Sequence, residues 1–211
     1  MILRSADASP FGRMVKLAAH VLGRIDEITV EPSETANPDD TITSQNPLGK
    51  IPALIVGNRV IYDSRTILDY LDMEAGGGRI IPASGEDRLD VQIRCARVNG
   101  ILDAALLVVY ERRYRPEEMV VESFVERQRD KIRRGLDVIA AENRPYTHGA
   151  MPQVDEIGLA CVLDYLDLRQ QLDWRDHCPA KESWITDFAA QVPGYHATLP
   201  TGINPAPWRE R

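Results

Sequence analysis

Cysteine is scarce in this chain, occurring only at Cys95, Cys161 and Cys178 in 211 residues. An odd number of widely spaced thiols does not build a disulfide framework, so reduced cysteines and a cytoplasmic setting are expected. The same spacing suits no thiolate metal site, and no metal is expected. The four histidines, His20, His148, His177 and His196, show no pairing suggestive of a metal or a catalytic triad. Basic charge is also short: 25 Lys plus Arg against 32 Asp plus Glu leave a formal net charge of −7. That excludes a surface built on overall basicity, so no nucleic-acid partner is expected, and an anionic ligand must find a local positive site. No stretch approaches the roughly 18 to 20 apolar residues of a membrane span. Met1 to Asp7 meets an early acid and lacks the charged head and apolar run of a secretory signal. Internal repeats and low-complexity tracts are absent as well.

What remains is an ordinary globular composition, 44% hydrophobic and 27% charged, enough for one large core or two modest ones. The pattern changes along the chain. Up to about residue 75, short β-like runs alternate with helical ones, and beyond it the periodicity is almost wholly helical. Two domains are predicted, residues 1–76 and 87–211, joined by a linker over 77–86 that contains Gly77-Gly78, Pro82 and Ser84-Gly85.

In the first domain Ile2 to Ser5 reads as a strand, and Phe11, Met14, Val15, Ala18 and Leu22 recur at helix spacing until Gly23. Ile25 to Val30 reads as a second strand, and Ala53–Val56 with Val60–Tyr62 flank Gly57-Asn58 as a hairpin. Ser64 is expected to cap a helix carrying Ile67, Leu68 and Leu71. The order β-α-β, loop, β-β-α is that of a small thioredoxin-like domain, giving an α/β fold followed by an all-α one. In the second domain Leu89, Ile93, Ala96 and Gly100 share one face of a long helix. Val121, Phe124, Gln128, Ile132 and Ile139 suggest another, and the two are expected to pair antiparallel. From Val154 to Leu172 the chain is apolar nearly all round, as in a central helix, and a shorter helix near Ala180 to Gln191 precedes a Pro-rich tail.

Three short segments carry the chemistry: Ser9-Pro10-Phe11-Gly12-Arg13, Asn46-Pro47-Leu48-Gly49-Lys50-Ile51-Pro52-Ala53-Leu54, and Asp63-Ser64. Each alone has a plain structural explanation. Ser9 fits an N-cap before Pro10 at the first helical position, Pro-Leu-Gly is a common turn, and Ser64 is a good cap whatever binds. Yet Ser9 also opens a helix whose unpaired N–H groups and dipole favour negative charge. A cysteine-like thiol has a pKa of about 8.5 and only its thiolate is a good nucleophile. A hydrogen bond from a hydroxyl to that anion, worth roughly 1.5 to 3 kcal/mol, lowers the pKa by about one to two units. Asp63 and Ser64 together offer a carboxylate for an ammonium and a hydroxyl for a carboxylate. Lys50 and Arg13 are the nearest basic residues in sequence, and both read equally well as solvated surface charges.

In order and spacing the three segments resemble the glutathione S-transferase superfamily, and the likeness extends to nearly the whole chain. It is nearest to bacterial glutathione transferase-like proteins with Ser-Pro-Phe at the first helix and Asn-Pro-Leu-Gly-Lys before the third strand. Asn99 to Ala104 is also similar to that group's first long helix. The resemblance implies a thioredoxin-like domain and a C-terminal helical bundle, a homodimer, and glutathione as co-substrate held mainly by the first domain. It implies Ser9 as the catalytic residue and Phe11, Lys50, Ile51, Pro52, Asp63 and Ser64 as glutathione-binding residues. Ile51-Pro52 is expected to be cis, presenting the Ile51 backbone to the cysteinyl part of glutathione. The more usual family residue at Asp63 is Glu, one methylene longer.

The second substrate implied is a small electrophile or peroxide, in a pocket expected between the domains. Its walls are drawn from the start of the first helix, Asp103 to Tyr110 and the tail near Trp208, with Tyr110 and Arg113 as candidate contacts. Family members commonly start the central helix with Ser or Thr, two residues, then Asp; here Pro152 takes the cap position. Pro152 is therefore expected at the first helical position, with Asp155 reaching back to an unpaired N–H. Two other functions share the fold: a non-catalytic binding or interaction module, and a glutathione-dependent disulfide oxidoreductase. Against the latter, no cysteine stands at the position of Ser9. Cys161 falls in the buried helix, Cys95 sits mid-helix and Cys178 lies in a loop.

Overall fold

A computed structural model describes residues 1–201, so the expectation at Trp208 lies outside the described residues. Strand β1 (Ile2–Ser5) is followed by helix α1 (Pro10–Val21), which carries the chain to β2 (Thr29–Pro32), parallel to β1. Strands β3 (Ala53–Val56) and β4 (Arg59–Ile61) complete a mixed sheet in the order β2-β1-β3-β4. Leu3 lies opposite Leu54 and Leu54 opposite Ile61, so these three point to one face, and all are buried. Val15, Leu17 and Ala18 of α1 and Ile67, Leu68 and Leu71 of α3 (Ser64–Glu74) complete the core of this unit. A single turn, α2 (Ile42–Gln45), interrupts the long loop before β3.

Two local expectations are corrected. The alternation from Ile25 to Val30 is not one strand: Ile25–Glu27 forms a 3-10 turn and the strand starts at Thr29. β2 has a single strand neighbour and all four of its residues are exposed, so no inward face exists to impose period-two burial. Its last residue, Pro32, gives up an N–H that an edge strand can spare. At α3 the cap is Asp63, not Ser64, because the extended residue is the one whose side chain reaches the second helical N–H. Asp63 has ψ −166° and its Oδ1 accepts from Arg65 N at 3.0 Å, leaving Ser64 as the first helical residue.

The stretch after α3 is held by one buried carboxylate. Asp72 accepts from the N–H groups of Gly78, Arg79 and Ile80 at 2.8, 3.0 and 2.8 Å. The bend it organises needs positive φ at Gly76, Gly77 and Gly78, a region that side chains with a Cβ avoid.

The described chain divides into two compact units, one of residues 1–91, 151–157 and 192–201, the other of residues 92–150 and 158–191. The second contains most of α4 (Gly85–Tyr114), all of α5 (Glu122–Glu142) and α7 (Lys181–Gln191), and the body of α6 (Val154–Arg169). α4 and α5 run antiparallel: Arg97 pairs with Glu142 at 2.7 Å and Arg112 with Glu122 at 2.5 Å. Between these pairs a Cβ on Gly135 would come within 2.7 Å of Ile101, so glycine permits the close approach.

The inward face of α4 is not the expected one. Leu89, Ile93, Ala96 and Gly100 are exposed, and Val98, Ile101, Leu102, Ala105 and Val108 are buried instead. On α5 Gln128, Ile132 and Ile139 face inward as read, joined by Val125 and Leu136, while Val121 is exposed and lies just ahead of the helix. α6 is enclosed as its sequence implied, with Ile157 and every residue from Leu159 to Asp167 buried. Pro152 stands two residues before α6, and the carboxylate that reaches back to the Gln153 N–H, at 2.8 Å, is that of Glu156.

Candidate functional site

Ser9 stands where β1 hands over to α1, in extended conformation, and its Oγ accepts the Gly12 N–H at 3.1 Å. That bond uses a lone pair and fixes the oxygen at the helix mouth. The hydroxyl hydrogen stays available as a donor. Pro10 occupies the first helical position and Phe11, half-buried, the second.

Gly12 is the reason the turn is tight. A Cβ there would meet Ser5 Oγ at 2.0 Å and Ser9 Oγ at 3.3 Å, so glycine lets α1 lie directly against the end of β1. Arg13, fully buried, does not offer its charge to solvent: its guanidinium lies 5.0 Å from the Tyr195 ring centroid. The segment around Tyr195 closes on α1, with Thr201 N–H donating to Asp7 at 2.7 Å.

The second segment is shaped by Asn46, which is buried. Its Oδ1 accepts from Leu48 N at 3.0 Å and its Nδ2 donates to Lys50 O at 2.8 Å, while Gly49 N–H returns to Asn46 O at 2.8 Å. This is an Asx turn with Pro47 in its second place and Gly49 at φ +59°. It delivers the chain to Ile51-Pro52, whose peptide bond is cis. Among the described residues no hydrogen bond engages the Ile51 N–H or C=O. Lys50 is exposed.

The loop that ends in this turn is tied to β1 by Arg4, a buried residue that sequence reading passed over. Arg4 donates to Thr41 Oγ1 (2.9 Å), Gln45 Oε1 (2.8 Å) and Asp40 Oδ1 (3.1 Å). Asp40 in turn accepts from Glu34 N (2.7 Å), Ile42 N (2.8 Å) and Ser33 Oγ (3.0 Å). These bonds, the Glu34 N–H foremost, hold the Asp40 carboxyl below its ordinary value, with Arg4 contributing last. The only sequence signal was a charged residue inside a strand.

The third segment lies at the mouth of α3, preceded by a cis Tyr62-Asp63 peptide. Asp63 caps the helix and also pairs with Arg65 at 3.3 Å, an exposed contact. Ser64 is buried, at the first position of the helix. Ser9, Ile51 and Ser64 thus belong to one unit. Tyr110 and Arg113 belong to the helical unit, at the end of α4.

No cysteine stands at the mouth of α1, where Ser9 is. Cys178 is buried, its sulfur faces Trp174 O at 3.3 Å, and burial pushes its thiol up to about 12. Cys161 is buried and Cys95 partly so, and none of the three is in a disulfide. Among the described residues no group of three or more His, Cys, Asp or Glu could hold a metal ion, and no helix is long and apolar enough to cross a membrane.

A four-stranded mixed sheet with a Ser-opened helix, joined to a helical unit, defines the architecture of glutathione transferases, and comparison with known proteins agrees. Residues 3–79 match the family model for the glutathione S-transferase N-terminal domain. An uncharacterised GST-like protein of Escherichia coli (strain K12), YibF, is 31% identical over 140 residues, spanning 64% of this chain and 67% of that protein. A glutathione transferase family member from Pseudomonas fluorescens Pf-5, solved with bound glutathione, is 38% identical, with TM-score 0.87 over 94% of this chain and 98% of that one. A structure of a family member from the same strain with bound S-(propanoic acid)-glutathione is likewise 38% identical, with TM-score 0.83 over 95% and 99%. The chain belongs to the glutathione S-transferase superfamily.

Proposed function

We propose that this protein is a glutathione transferase: it binds glutathione on its first unit, ionises the thiol beside Ser9 and passes the sulfur to a small electrophile or peroxide. The carrying observation is the state of Ser9, whose oxygen is fixed by the Gly12 N–H at a helix N-terminus with its own proton free to donate. The Ile51 backbone supplies an N–H and a C=O for the cysteinyl residue, and the Ser64 hydroxyl with the α3 N-terminus suits the γ-glutamyl carboxylate. Asp63 serves the ammonium with the carboxylate it also uses as cap, and Lys50 and Phe11 border the same ligand. Glutathione bound in the Pseudomonas fluorescens relative supports this reading.

With a carbon electrophile, the thiolate pair forms a C–S bond and the electrons pass to a leaving group or an activated double bond, which then takes a proton. The S-(propanoic acid)-glutathione in the second Pseudomonas fluorescens structure has the form of such a product. With a peroxide, an S–O bond forms as O–O breaks, the departing oxygen takes a proton and leaves as the alcohol, and the thiol of a second glutathione resolves the sulfenic acid to disulfide and water. The exposed apolar stripe of Leu89, Ile93, Ala96 and Gly100 supports a homodimer, and three cysteines outside any disulfide support a reducing, cytoplasmic setting.

Retention on immobilised glutathione tests the proposal. Wild type should bind and elute with free glutathione, and Ser64→Ala should pass through while keeping its circular dichroism. Free glutathione at a hundred times Kd should also stabilise the wild type by about 2.7 kcal/mol, seen as a raised Tm. Wild type that neither binds the column nor gains Tm sinks the reading.

A further inference from the structure

The unit that contains β1, α1 and the glutathione-binding segments also takes in Val192–Thr201, a stretch beyond α7 and far outside residues 3–79 that match the family model. This stretch runs along α1 as a strap. Gly194, at φ +78°, stands against the last turn of the helix, where a Cβ would come within 2.1 Å of the His20 ring. Tyr195, buried, lies over the Arg13 guanidinium in the first turns, at 5.0 Å. A 3-10 turn, His196–Thr198, then brings the chain to Thr201, whose N–H donates to Asp7 Oδ2 at 2.7 Å. The strap also holds its own shape: Thr198 N–H donates to Gly194 O at 3.0 Å, and Thr198 Oγ1 to Tyr195 O at 3.1 Å.

Asp7 is the second residue of the turn that delivers Ser9. The Ser9 N–H closes that turn on Ala6 O at 3.1 Å. The Ser9 carbonyl then accepts from Arg13 N at 2.9 Å and its hydroxyl oxygen from Gly12 N at 3.1 Å. An exposed carboxylate just ahead of a helix is accounted for by the helix dipole alone. The dipole does not account for a backbone donor from the other end of the chain, aligned on that carboxylate at the short distance of a charge-assisted bond.

We propose that Asp7 is a positioning residue for Ser9: by gripping the Thr201 N–H it braces the turn of residues 6–9 against the strap, and so fixes the Ser9 oxygen where a bound thiolate meets it. The inference rests on the proposed role of Ser9 and assigns part of that role to a segment outside the matched domain. Hydrogen bonds weaken steeply with misalignment, so a turn free to shift would donate poorly to the sulfur even with Ser9 intact.

Amide hydrogen exchange of the full chain without ligand reads the positioning directly, because the Gly12 and Arg13 N–H groups both bond to Ser9. Asp7→Ala should speed exchange at both about threefold or more. Asp7→Asn keeps an oxygen acceptor for Thr201 and should stay near wild type. Thr201→Pro removes the donor and should match Asp7→Ala, with no further change in the double variant. With glutathione bound, Asp7→Ala should raise the thiol pKa by about half a unit or more, followed by thiolate absorbance. The Kd should stay within about twofold, since Ile51 and Ser64 are untouched. A merely structural Asp7 would lower Tm and leave the thiol pKa where it is. Should Thr201→Pro fail to fold by circular dichroism, the two Asp7 variants decide. Exchange unchanged in Asp7→Ala, Asp7→Asn indistinguishable from Asp7→Ala, or a bound thiol with the wild-type pKa in Asp7→Ala each overturns the positioning role. Wild type that binds no glutathione sinks the proposed function, and the exchange measurement then decides by itself whether Asp7 fixes Ser9.

Discussion

At Ser9 one oxygen serves two ends. It accepts the Gly12 N–H, which stabilises α1, and under the proposed function it offers its hydrogen to the glutathione thiolate. Ser9→Ala removes both, so two readouts should move: stability by about 1 kcal/mol for the lost cap, and the pKa of bound glutathione upward by about one to two units. The first is read by thermal unfolding and the second by the pH dependence of thiolate absorbance in the complex. A thiol pKa equal to wild type would assign Ser9 to the helix alone. Gly12 sets the place of that oxygen. Gly12→Ala drives a Cβ into Ser5 Oγ at 2.0 Å, with Ser5 Cβ at 3.2 Å behind it. Overpacking of this kind costs about 1–3 kcal/mol, and adding Ser5→Ala should recover part of the loss in Tm. No recovery would place the strain elsewhere.

The same scale shows what the residues disclosed and what they withheld. Ser9 before Pro10 is a local rule, visible in five residues, and it held. The cap of α3 was misassigned between neighbours, because Asp and Ser are equally good caps and only the backbone decides which of them is extended. Arg4 was invisible: its partners Asp40, Thr41 and Gln45 lie more than thirty positions away, and no local pattern announces a contact of that separation.

Among elements, the loop between β2 and β3 is the one whose order depends on charge. The Asp40 carboxyl is held below its ordinary value chiefly by the Glu34 N–H, against burial, with Ile42, Ser33 and Arg4 adding to the shift. Its folded pKa lies below the unfolded one, so its contribution to stability is whole above the ordinary carboxylate range and fades as the pH drops through that range towards the folded value. Asp40→Asn should therefore have a lower Tm than wild type at pH 7, and the gap should close below about pH 4. A gap of constant size across that range would show that the ionised form has no special role. Helices with long periodic runs were legible here, and this loop was not. Its single turn α2 owes its place to side-chain bonds from β1 rather than to any apolar period.

On the scale of the molecule, the succession of a β-rich first part and a helical second part follows from where the hydrophobic period changes near residue 75. The inward face of α4 did not follow. Its sequence contains two apolar faces, and burial chose Val98, Ile101, Leu102, Ala105 and Val108, leaving Leu89 and Ile93 about half exposed at 49% and 51%. A single chain gains nothing from that outward stripe, since each such side chain forgoes roughly 1.5–3 kcal/mol by staying in water. A second copy would recover it, and Gly100, with nothing within 4 Å of where its Cβ would stand, leaves room for a close approach. The double variant Leu89→Glu, Ile93→Glu should turn a dimer into a folded monomer, read by light scattering on a sizing column at micromolar concentration. The monomer should keep its helical circular dichroism, because neither side chain contributes to the core. Wild type that already elutes as a monomer, or a double variant that remains a dimer, removes α4 as the dimer face.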